Sequence, residues 1–413
     1  MATQQEAIDL IETGANVFLT GGAGRGKSHV IRQVTNKNTI LAAPTGIAAL
    51  NIGGMTCHRT FGLPLGLPTT TDYSTISSKA KKLLSNKNLT RIIIDEIGMV
   101  RADTLELIDH RLKQARGNNL PFGGVQMVVV GDFFQLSPIV SGREKELFYK
   151  NYKTSFAFGA DAWNFQTVEL EKAYRQDNEI HVKVLDSFRK KDRWAARAFE
   201  WIEENTLPYD GVGDELLHLC CYKEDAARIN QIHYNRLDTK EHTFYGQTNN
   251  SKWSNDVAVP QIVKLREGAH VIIRANDIDG AYTNGQRGIV KALYANSVIV
   301  TLEKDGFEED VEVEAFTWET YQYNATAKGL TKEVEWEYSQ IPLQLGWAIT
   351  IHSAQGMTLD GVAVDVGRGC FAHGMLYVAL SRAKDLTNMS IATPISMRDL
   401  ILDKEVKEFY GVA

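Results

Sequence analysis

The segment GGAGRGKS at residues 21–28 has the spacing of glycines, lysine and serine that binds nucleotide phosphates. An apolar run, Val17–Thr20, precedes it and a helical pattern, His29–Val34, follows it, as this motif requires. Backbone N–H groups at such a helix start surround the β-phosphate, the lysine reaches the β- and γ-phosphates, and the serine holds Mg²⁺. The predicted nucleotide-binding residues are Gly22, Ala23, Gly24, Gly26, Lys27 and Ser28.

Two adjacent carboxylates, Asp95 and Glu96, end the apolar run Ile92–Ile94. A parallel strand that ends in acids delivers them to the carboxyl edge of its sheet, beside the phosphate loop. There Asp95 can order the Mg²⁺ shell, while Glu96 can orient and deprotonate an attacking water. The pair therefore predicts hydrolysis of the bound nucleotide.

A third polar group follows the apolar run Met127–Val130, in the segment GDFFQL at residues 131–136. A glutamine just past a strand edge, here Gln135, can sense the γ-phosphate and report its loss. The three strand patterns, together with Ile40–Ala42, are apolar at every position. Strands that are apolar on both faces are typical of a parallel sheet covered by helices, so the first third is predicted to be α/β.

Two later stretches break this pattern. Residues 63–87 pass from Pro, Thr and Ser into a lysine-bearing helix, which indicates a surface insertion in the first domain. From about Ile262 to Thr317, short β-branched runs alternate with turn signals such as Asn284-Gly285, which predicts a small antiparallel β-barrel. From Leu343 onward the sequence pattern again predicts alternating strands and helices.

The bulk composition is that of a globular protein. A length of 413 residues predicts two or three compact units. The formal charge of −6 argues against a chain coated in basic residues and leaves room for a local basic groove. The four cysteines have no C-x-x-C spacing, which argues against a zinc ribbon or redox pair and favours a reducing compartment. With neither a signal segment nor a spanning apolar run, we expect a cytoplasmic protein without a membrane partner.

Taken together, the motifs resemble a helicase of superfamily 1B, in the Pif-type (petite integration frequency) branch, which is also similar to RecD. The motifs that carry the resemblance occur in the same order as in the family, and they span almost the whole chain. They are residues 21–28, APTG (43–46), DEIGM (95–99), GDFFQL (131–136), YRQ (174–176), TIHSAQGMT (350–358) and YVALSR (377–382).

The resemblance implies further roles at the ATP site. Gln4 matches the glutamine that reads adenine, Gln135 matches the γ-phosphate sensor, and Gly356 is expected to contact the nucleotide. Arg175 and Arg382 match two arginines that a second RecA-like domain projects toward the transferring phosphoryl group. ATP and Mg²⁺ are the implied cofactors.

The resemblance also implies contacts with single-stranded DNA, and Phe61 and Tyr73 are candidates for stacking on bases. Ser353 stands where the family usually has a lysine, which removes one expected phosphate contact. Gly98 and Arg25 also depart from the family's common residues, outside the hydrolytic chemistry. The predicted DNA-binding residues are Pro44, Thr45, Gly46, Thr56, His58, Phe61, His352, Ser353 and Thr358.

The expected architecture is α/β, with two RecA-like parallel-sheet domains. The first covers residues 1–165, with the insertion at about 63–87. The second covers 166–261 and 342–413, interrupted by the β-barrel at 262–341. The implied activity is that of a monomeric ATP-dependent 5′-to-3′ DNA helicase acting on single-stranded and forked duplex DNA.

Three alternatives stay open at this point. A non-catalytic clamp would bind DNA in an ATP-dependent manner, but Glu96 and the two arginines argue against it. A nucleotide switch or kinase-type protein would act without nucleic acid, and it has no need for the motifs of the second domain. A translocase that displaces proteins would share the motor without processive unwinding, and the sequence does not separate it from a helicase.

Overall fold

The computed structural model describes residues 2–64, 66–140, 142, 144–172, 178–209, 216–249, 259–277, 280–304, 307–326 and 329–412. The chain folds into two compact units. Unit 1 comprises residues 1–177, 320–335 and 403–413, and unit 2 comprises residues 178–319 and 336–402. Among the described residues, no helix combines the length and apolar character needed to cross a membrane.

Unit 1 is built on a six-stranded sheet in the order β3-β2-β4-β5-β1-β6, and every pairing in it is parallel. Its central strands are buried along their whole length, which explains why their sequences are apolar at successive positions. The predicted α/β class is confirmed. The strands are β1 (Val17–Thr20), β2 (Thr39–Ala43), β3 (Met55–Thr56), β4 (Arg91–Ile94), β5 (Gln126–Val130) and β6 (Gln166–Glu169).

Several helices of unit 1 begin at a threonine or serine whose side chain caps the helix. Thr3 and Thr69 each form a reciprocal capping box, with Glu6 and Asp72 respectively. The insertion predicted at residues 63–87 contains two short helices, the second of them lysine-bearing as expected. The helices are α1 (Gln4–Glu12), α2 (Lys27–Val34), α3 (Gly46–Asn51), α4 (Cys57–Phe61), α5 (Thr70–Ser74), α6 (Ser78–Leu84), α7 (Ala102–Arg116) and α8 (Lys145–Asn151).

Unit 2 contains a second parallel sheet, with four strands in the order β18-β7-β19-β20. Its central strand carries Cys220 and is fully buried, as its apolar sequence predicts. Its strands are β7 (Leu217–Cys220), β18 (Ala348–Thr350), β19 (Val362–Asp365) and β20 (Met389–Ile391), and its helices are α9 (Glu179–Lys190), α10 (Ala195–Asn205), α11 (Lys223–Asn235) and α12 (Met375–Leu380).

Between β7 and β18 the chain forms antiparallel strands, as the β-branched runs predict. Five of them make one sheet in the order β14-β13-β12-β11-β17. Closure into a barrel stays a prediction. The strands are β8 (His242–Tyr245), β9 (Gln247–Thr248), β10 (Ile262–Leu265), β11 (His270–Ile273), β12 (Arg287–Leu293), β13 (Ser297–Lys304), β14 (Phe307–Glu314), β15 (Phe316–Thr326), β16 (Gly329–Gln340) and β17 (Leu343–Leu345).

The C-terminal segment corrects the predicted domain boundaries. The second domain was expected to run to residue 413, but residues 403–413 belong to unit 1. Helix α13 (Lys404–Tyr410) packs its aromatic residues on the first sheet. The Phe409 ring stacks on Phe158 with centroids 4.4 Å apart and meets the edge of Phe133 at 5.5 Å. Burial of aromatic surface on unit 1 decided the placement, and nothing in the local sequence shows which sheet receives it.

We predict that Phe409→Ala destabilises unit 1 by about 3 kcal/mol, near the lower end for a buried phenylalanine because the side chain is half-buried. The midpoint of the first urea-unfolding transition, followed by tryptophan fluorescence, measures the change. The matched control is Phe307→Ala, the same truncation on a ring that is 77% exposed. Equal midpoints for the two variants would contradict the docking of α13.

Candidate nucleotide and nucleic-acid sites

The phosphate-loop segment forms a tight turn between β1 and α2 that admits only glycine at its first position. Gly21 has φ +141°, and a Cβ there would lie 2.6 Å from the carbonyl oxygen of Leu170. Gly26 has φ +81° and caps the N-terminus of α2 in the left-handed region. Glycine therefore lets the chain turn against its neighbour and leaves backbone N–H groups at the start of a helix, where an anion is favoured.

Two basic side chains hold this loop. The Nζ of Lys27 donates to the carbonyl oxygens of Gly21 and Gly22, at 2.7 and 3.0 Å. The guanidinium of Arg25 is buried and donates to the carbonyl oxygen of Glu171, just beyond β6. The arginine at this position, which departs from the family's common residue, thus fastens the loop to the neighbouring chain segment.

The two carboxylates lie where parallel pairing requires. Strands β1 and β4 both flank β5, and the last pairs that they form with it lie at its carboxyl end, Leu19 with Val130 and Ile94 with Val129. Residues that follow these strands therefore share one edge of the sheet. Burial, followed by the charge of Glu96, raises the pKa of the Asp95 carboxyl, while the Lys27 ammonium acts to lower it. The strand pairing therefore places the acidic pair and the phosphate loop at the same edge of the sheet.

Glu96 has a backbone conformation that is unusual for a residue with a side chain. Its φ of 50° and ψ of 45° lie in the left-handed region, at the start of a 3₁₀ turn, Ile97–Met99. The Glu96 N–H donates to Oδ1 of Asp95 at 2.9 Å, which helps to hold this geometry. Such a conformation costs about 1–2 kcal/mol and recurs at functional sites.

Gln135 lies in a compact loop after β5. The Gln135 N–H donates to the carbonyl oxygen of Asp132 at 3.1 Å, and the Phe134 N–H donates to Oδ1 of Asp132 at 3.2 Å. Both Asp132 and Gln135 are buried. The loop is thus fixed at the same sheet edge as Lys27 and Glu96, and the sensing role of Gln135 stays a prediction.

Gln4 lies in the first turn of α1, which is anchored by the Thr3 cap. Its Nε2 donates to the carbonyl oxygen of Gly26 at 3.4 Å, a long but direct contact with the phosphate loop. The structure therefore brings Gln4 to the predicted nucleotide site, and the reading of adenine stays a prediction.

Tyr410 lies at this site although no motif in the sequence points to it. Its ring stacks on Phe134, the neighbour of Gln135, with centroids 4.5 Å apart and planes at 21°. Its hydroxyl is 3.1 Å from Oγ1 of Thr20, the residue immediately before the phosphate loop. Tyr410 therefore contacts two of the segments that border the predicted nucleotide site, although 390 positions separate it from Thr20.

The DNA-binding candidates of unit 1 gather at the other end of the same sheet edge. Residues Pro44, Thr45 and Gly46 follow β2, and β2 pairs with β3 at Ala43 and Thr56. The Thr45 hydroxyl accepts from the Ala48 N–H and caps α3. The grouping fits a shared binding surface, while contact with DNA stays a prediction.

The DNA-binding candidates on and beside α4 differ in how exposed their side chains are. Thr56 caps the helix by accepting from the Arg59 N–H, and His58 is half-buried. Phe61 is completely buried, so the prediction that it stacks on bases is wrong: its ring belongs to the core of unit 1. Tyr73 is half-buried and its ring packs edge-on against His110 with centroids 5.3 Å apart.

The candidates of unit 2 lie in a turn that follows β18. The exposed Ser353 has its Oγ 2.8 Å from Oγ1 of Thr350, and Gly356 has φ +81°. Thr358 is half-buried in the same segment. Burial, and next the charge of Lys223, lowers the pKa of the His352 imidazole, which favours its neutral form.

Of the two candidate arginines, the structure describes Arg382 alone. Arg175 lies outside the described residues. Arg382 is buried at the end of α12, where its guanidinium donates to the carbonyl oxygens of Val378 and Met357 and to Oγ of Ser381. These bonds link α12 to the segment that contains Gly356 and Thr358. A role of Arg382 in hydrolysis stays a prediction.

The donor set of unit 1 fits the predicted Mg²⁺. Mg²⁺ takes oxygen ligands, retains several waters and uses one or two protein groups together with substrate phosphates. The Ser28 hydroxyl and the Asp95 carboxylate would supply that chemistry, and a cation beside Asp95 would offset the desolvation and the Glu96 charge that raise the pKa of its carboxyl. In the described part of the chain, no cluster of three or more His, Cys, Asp or Glu side chains forms an all-protein metal cage.

Comparison with family models identifies helicase regions at both ends of the chain. A model described as PIF1-like helicase matches residues 1–195, and one described as UvrD-like helicase C-terminal domain matches residues 345–389. The two matched regions contain the motifs of unit 1 and of the parallel sheet of unit 2.

Two relatives match this chain over nearly its whole length. The ATP-dependent DNA helicase Pif1 of Bdellovibrio bacteriovorus is 31% identical, over 98% of this chain and 90% of that protein. The human ATP-dependent DNA helicase PIF1 is 29% identical over 99% of this chain. This chain spans 63% of the length of the human relative.

Solved structures of Pif1 from Bacteroides have the same fold. The complex with ADP-AlF4 is 33% identical, covers 99% of this chain and 95% of that one, and superposes with a TM-score of 0.89. The structure bound to ssDNA is 34% identical with the same coverage and a TM-score of 0.70.

The strained backbone at Glu96 gives a prediction about stability. Glu96→Gly and Glu96→Ala both remove the carboxylate, but only glycine adopts a positive φ freely. We expect the glycine variant to be the more stable by about 1 kcal/mol, measured as the difference in urea midpoints. The control pair is Glu146→Gly and Glu146→Ala inside α8, where alanine should be favoured by about 1 kcal/mol. The same preference for alanine at residue 96 would contradict the left-handed conformation.

Proposed function

We propose that this chain, which belongs to the PIF1-like helicase family, is an ATP-driven motor that moves 5′-to-3′ along single-stranded DNA and unwinds duplex DNA. The observation that carries the proposal is the single sheet edge of unit 1, where the phosphate loop, the acidic pair and the Gln135 loop meet. The same edge continues to the candidate DNA residues after β2 and β3.

The residues of this edge have distinct roles in hydrolysis. The phosphate loop and Lys27 bind and orient the β- and γ-phosphates. Glu96 accepts a proton from the attacking water as that water adds to the γ-phosphorus in line with the leaving oxygen. Ser28 and Asp95 would hold Mg²⁺, which would supply charge neutralisation at the phosphate oxygens. Gln135 reports the presence of the γ-phosphate to the loop on which it lies.

Movement needs an affinity for DNA that depends on the nucleotide. Unit 2 contributes Arg382, which follows α12, and the segment that contains Gly356 and Thr358. Hydrogen bonds from the Arg382 guanidinium to Val378 and Met357 connect α12 with that segment. A change at Arg382 during the ATP cycle therefore reaches the segment proposed to contact DNA. Translocation results when the two units alternate in their grip on the strand, which is a population shift driven by differential contacts.

Relatives support DNA as the partner. The Bacteroides protein has been solved bound to ssDNA, and a further structure concerns unwinding at forked dsDNA by two coordinating helicases. We propose single-stranded and forked duplex DNA as ligands of this chain, which acts as a monomer in binding the strand. A translocase that displaces proteins is the second candidate, since it would use the same residues.

Removal of the phosphate-loop lysine tests the ATP site. Lys27→Ala is expected to lower DNA-stimulated phosphate release by about 100-fold or more, because charge stabilisation at the phosphates is lost. Affinity for a thymidine oligonucleotide should remain close to that of the parent. The matched control is Lys150→Ala, an exposed lysine on α8 whose side chain is 62% accessible.

The same assay separates the alternatives. Turnover of Lys27→Ala near the parent value would refute the site. Parent protein that binds the oligonucleotide without releasing phosphate would indicate an ATP-dependent clamp, and phosphate release that DNA does not stimulate would indicate a nucleotide switch.

The direction of movement predicts which forks are opened. A duplex with a 5′ single-stranded tail should be unwound with ATP, and the same duplex with only a 3′ tail should remain paired. Strand separation followed by a fluorophore and quencher on opposite strands gives the rate for each. Unwinding of the 3′-tailed substrate alone would contradict the polarity, and phosphate release without opening of either substrate would favour the translocase.

A further inference from the structure

Three parallel strands of unit 2 end side by side. The last residue of β7, Cys220, pairs with Thr350 at the end of β18 and with Asp365 at the end of β19. The segments that follow these strands therefore lie next to one another at a single sheet edge, the place where α/β proteins bind ligands.

These segments assemble an aromatic and basic patch, defined by Tyr222, Lys223, His352, Arg368 and Phe371. The Phe371 ring lies 5.0 Å from the Tyr222 ring and 6.4 Å from the His352 ring, to which it is nearly parallel at 20°. The Arg368 guanidinium lies over the Tyr222 ring at 4.3 Å. None of these residues except His352 has a role in the proposed function.

Phe371 is the exposed member of this patch. The side chain is 55% accessible to solvent, so its burial contributes little to folding. The ring contacts those of Tyr222 and His352, and more than half of the side chain is open to solvent. An exposed aromatic ring of this kind is available to stack on a flat ligand group such as a nucleic-acid base.

The backbone that presents Phe371 is held in place. The N–H of the preceding Cys370 donates to Oδ1 of Asp399 at 3.0 Å, and the carbonyl oxygen of Gly369 accepts from the Tyr222 hydroxyl at 3.3 Å. The Sγ atoms of Cys221 and Cys370 are in contact at 3.6 Å beneath the patch. A ring positioned in advance loses little conformational entropy when a ligand binds, which favours affinity.

The charges around the rings select the kind of ligand. Lys223 and Arg368 are both exposed, while the neighbouring carboxylates Asp365 and Asp399 accept hydrogen bonds from backbone N–H groups. Rings bordered by cations suit a ligand that combines flat π-faces with negative charge, which describes an unpaired nucleotide strand. A paired, stacked base would not offer its face to the ring, so a duplex fits less well.

We propose that Phe371 is a stacking platform for an unpaired base of the DNA strand, with Tyr222 and His352 supporting the ring and Lys223 and Arg368 attracting the adjacent phosphates. This inference rests on the proposed DNA-binding function. It adds a contact with a base to the DNA contacts predicted at Ser353 and Thr358. Because such stacking tolerates any base, the contact contributes affinity without sequence preference.

Affinity measured on two probes tests the platform. The probes are a fluorescein-labelled thymidine oligonucleotide and an oligonucleotide of the same length made of abasic sites, both titrated at fixed salt. Phe371→Ala is expected to weaken binding of the thymidine strand by about 5- to 150-fold, the range for loss of one stacked base. Binding of the abasic strand should change much less, since it has no base to stack. Phe371→Trp should retain affinity.

The matched control is Phe307→Ala, which truncates a ring that is 77% exposed on β14 and should bind both strands as the parent does. Unchanged affinity of Phe371→Ala for the thymidine strand would overturn the platform while leaving the proposed function intact. Equal losses on the thymidine and abasic strands would also overturn it, because a damaged fold affects both. Failure of the parent chain to bind either strand would overturn the proposed function as well.

Discussion

Parallel pairing is the constraint on which both sites depend. Parallel strands place all their carboxyl ends at one edge, so segments far apart in sequence must meet there. In unit 1 this brings together Lys27, Glu96 and Gln135, which follow β1, β4 and β5. In unit 2 the same geometry gathers the segments after β7, β18 and β19. Neither site needs a dedicated scaffold beyond the sheet itself.

Polar and charged groups at these edges are held by the backbone around them. Lys27 contacts the carbonyl oxygens of its own loop, and Asp132 accepts from the loop that contains Gln135. Glu96 is kept in a left-handed conformation that a free chain would avoid. Such preorganisation has a cost in stability, and the buried strands beneath supply the compensating apolar packing.

The C-terminal helix connects the end of the chain to the chemistry of unit 1. Tyr410 touches Phe134 in the sensor loop and Thr20 before the phosphate loop. All residues of unit 2 lie between Phe134 and Tyr410 in the sequence. Helix α13 therefore packs beside the predicted nucleotide site of unit 1, where an aromatic cluster around Phe133 and Phe409 receives it.

The sequence by itself determined the chemistry and the class of the fold. Lys27, Asp95 and Glu96 were identified because their spacing after apolar runs reflects local backbone geometry, which short-range physics dictates. Tertiary packing decided the rest. Phe61 and Phe371 are both phenylalanines in loop-bordering segments, yet one is completely buried and the other 55% exposed. That difference, like the docking of residues 403–413 on unit 1, depends on which distant surfaces bury apolar area, and local sequence does not encode it.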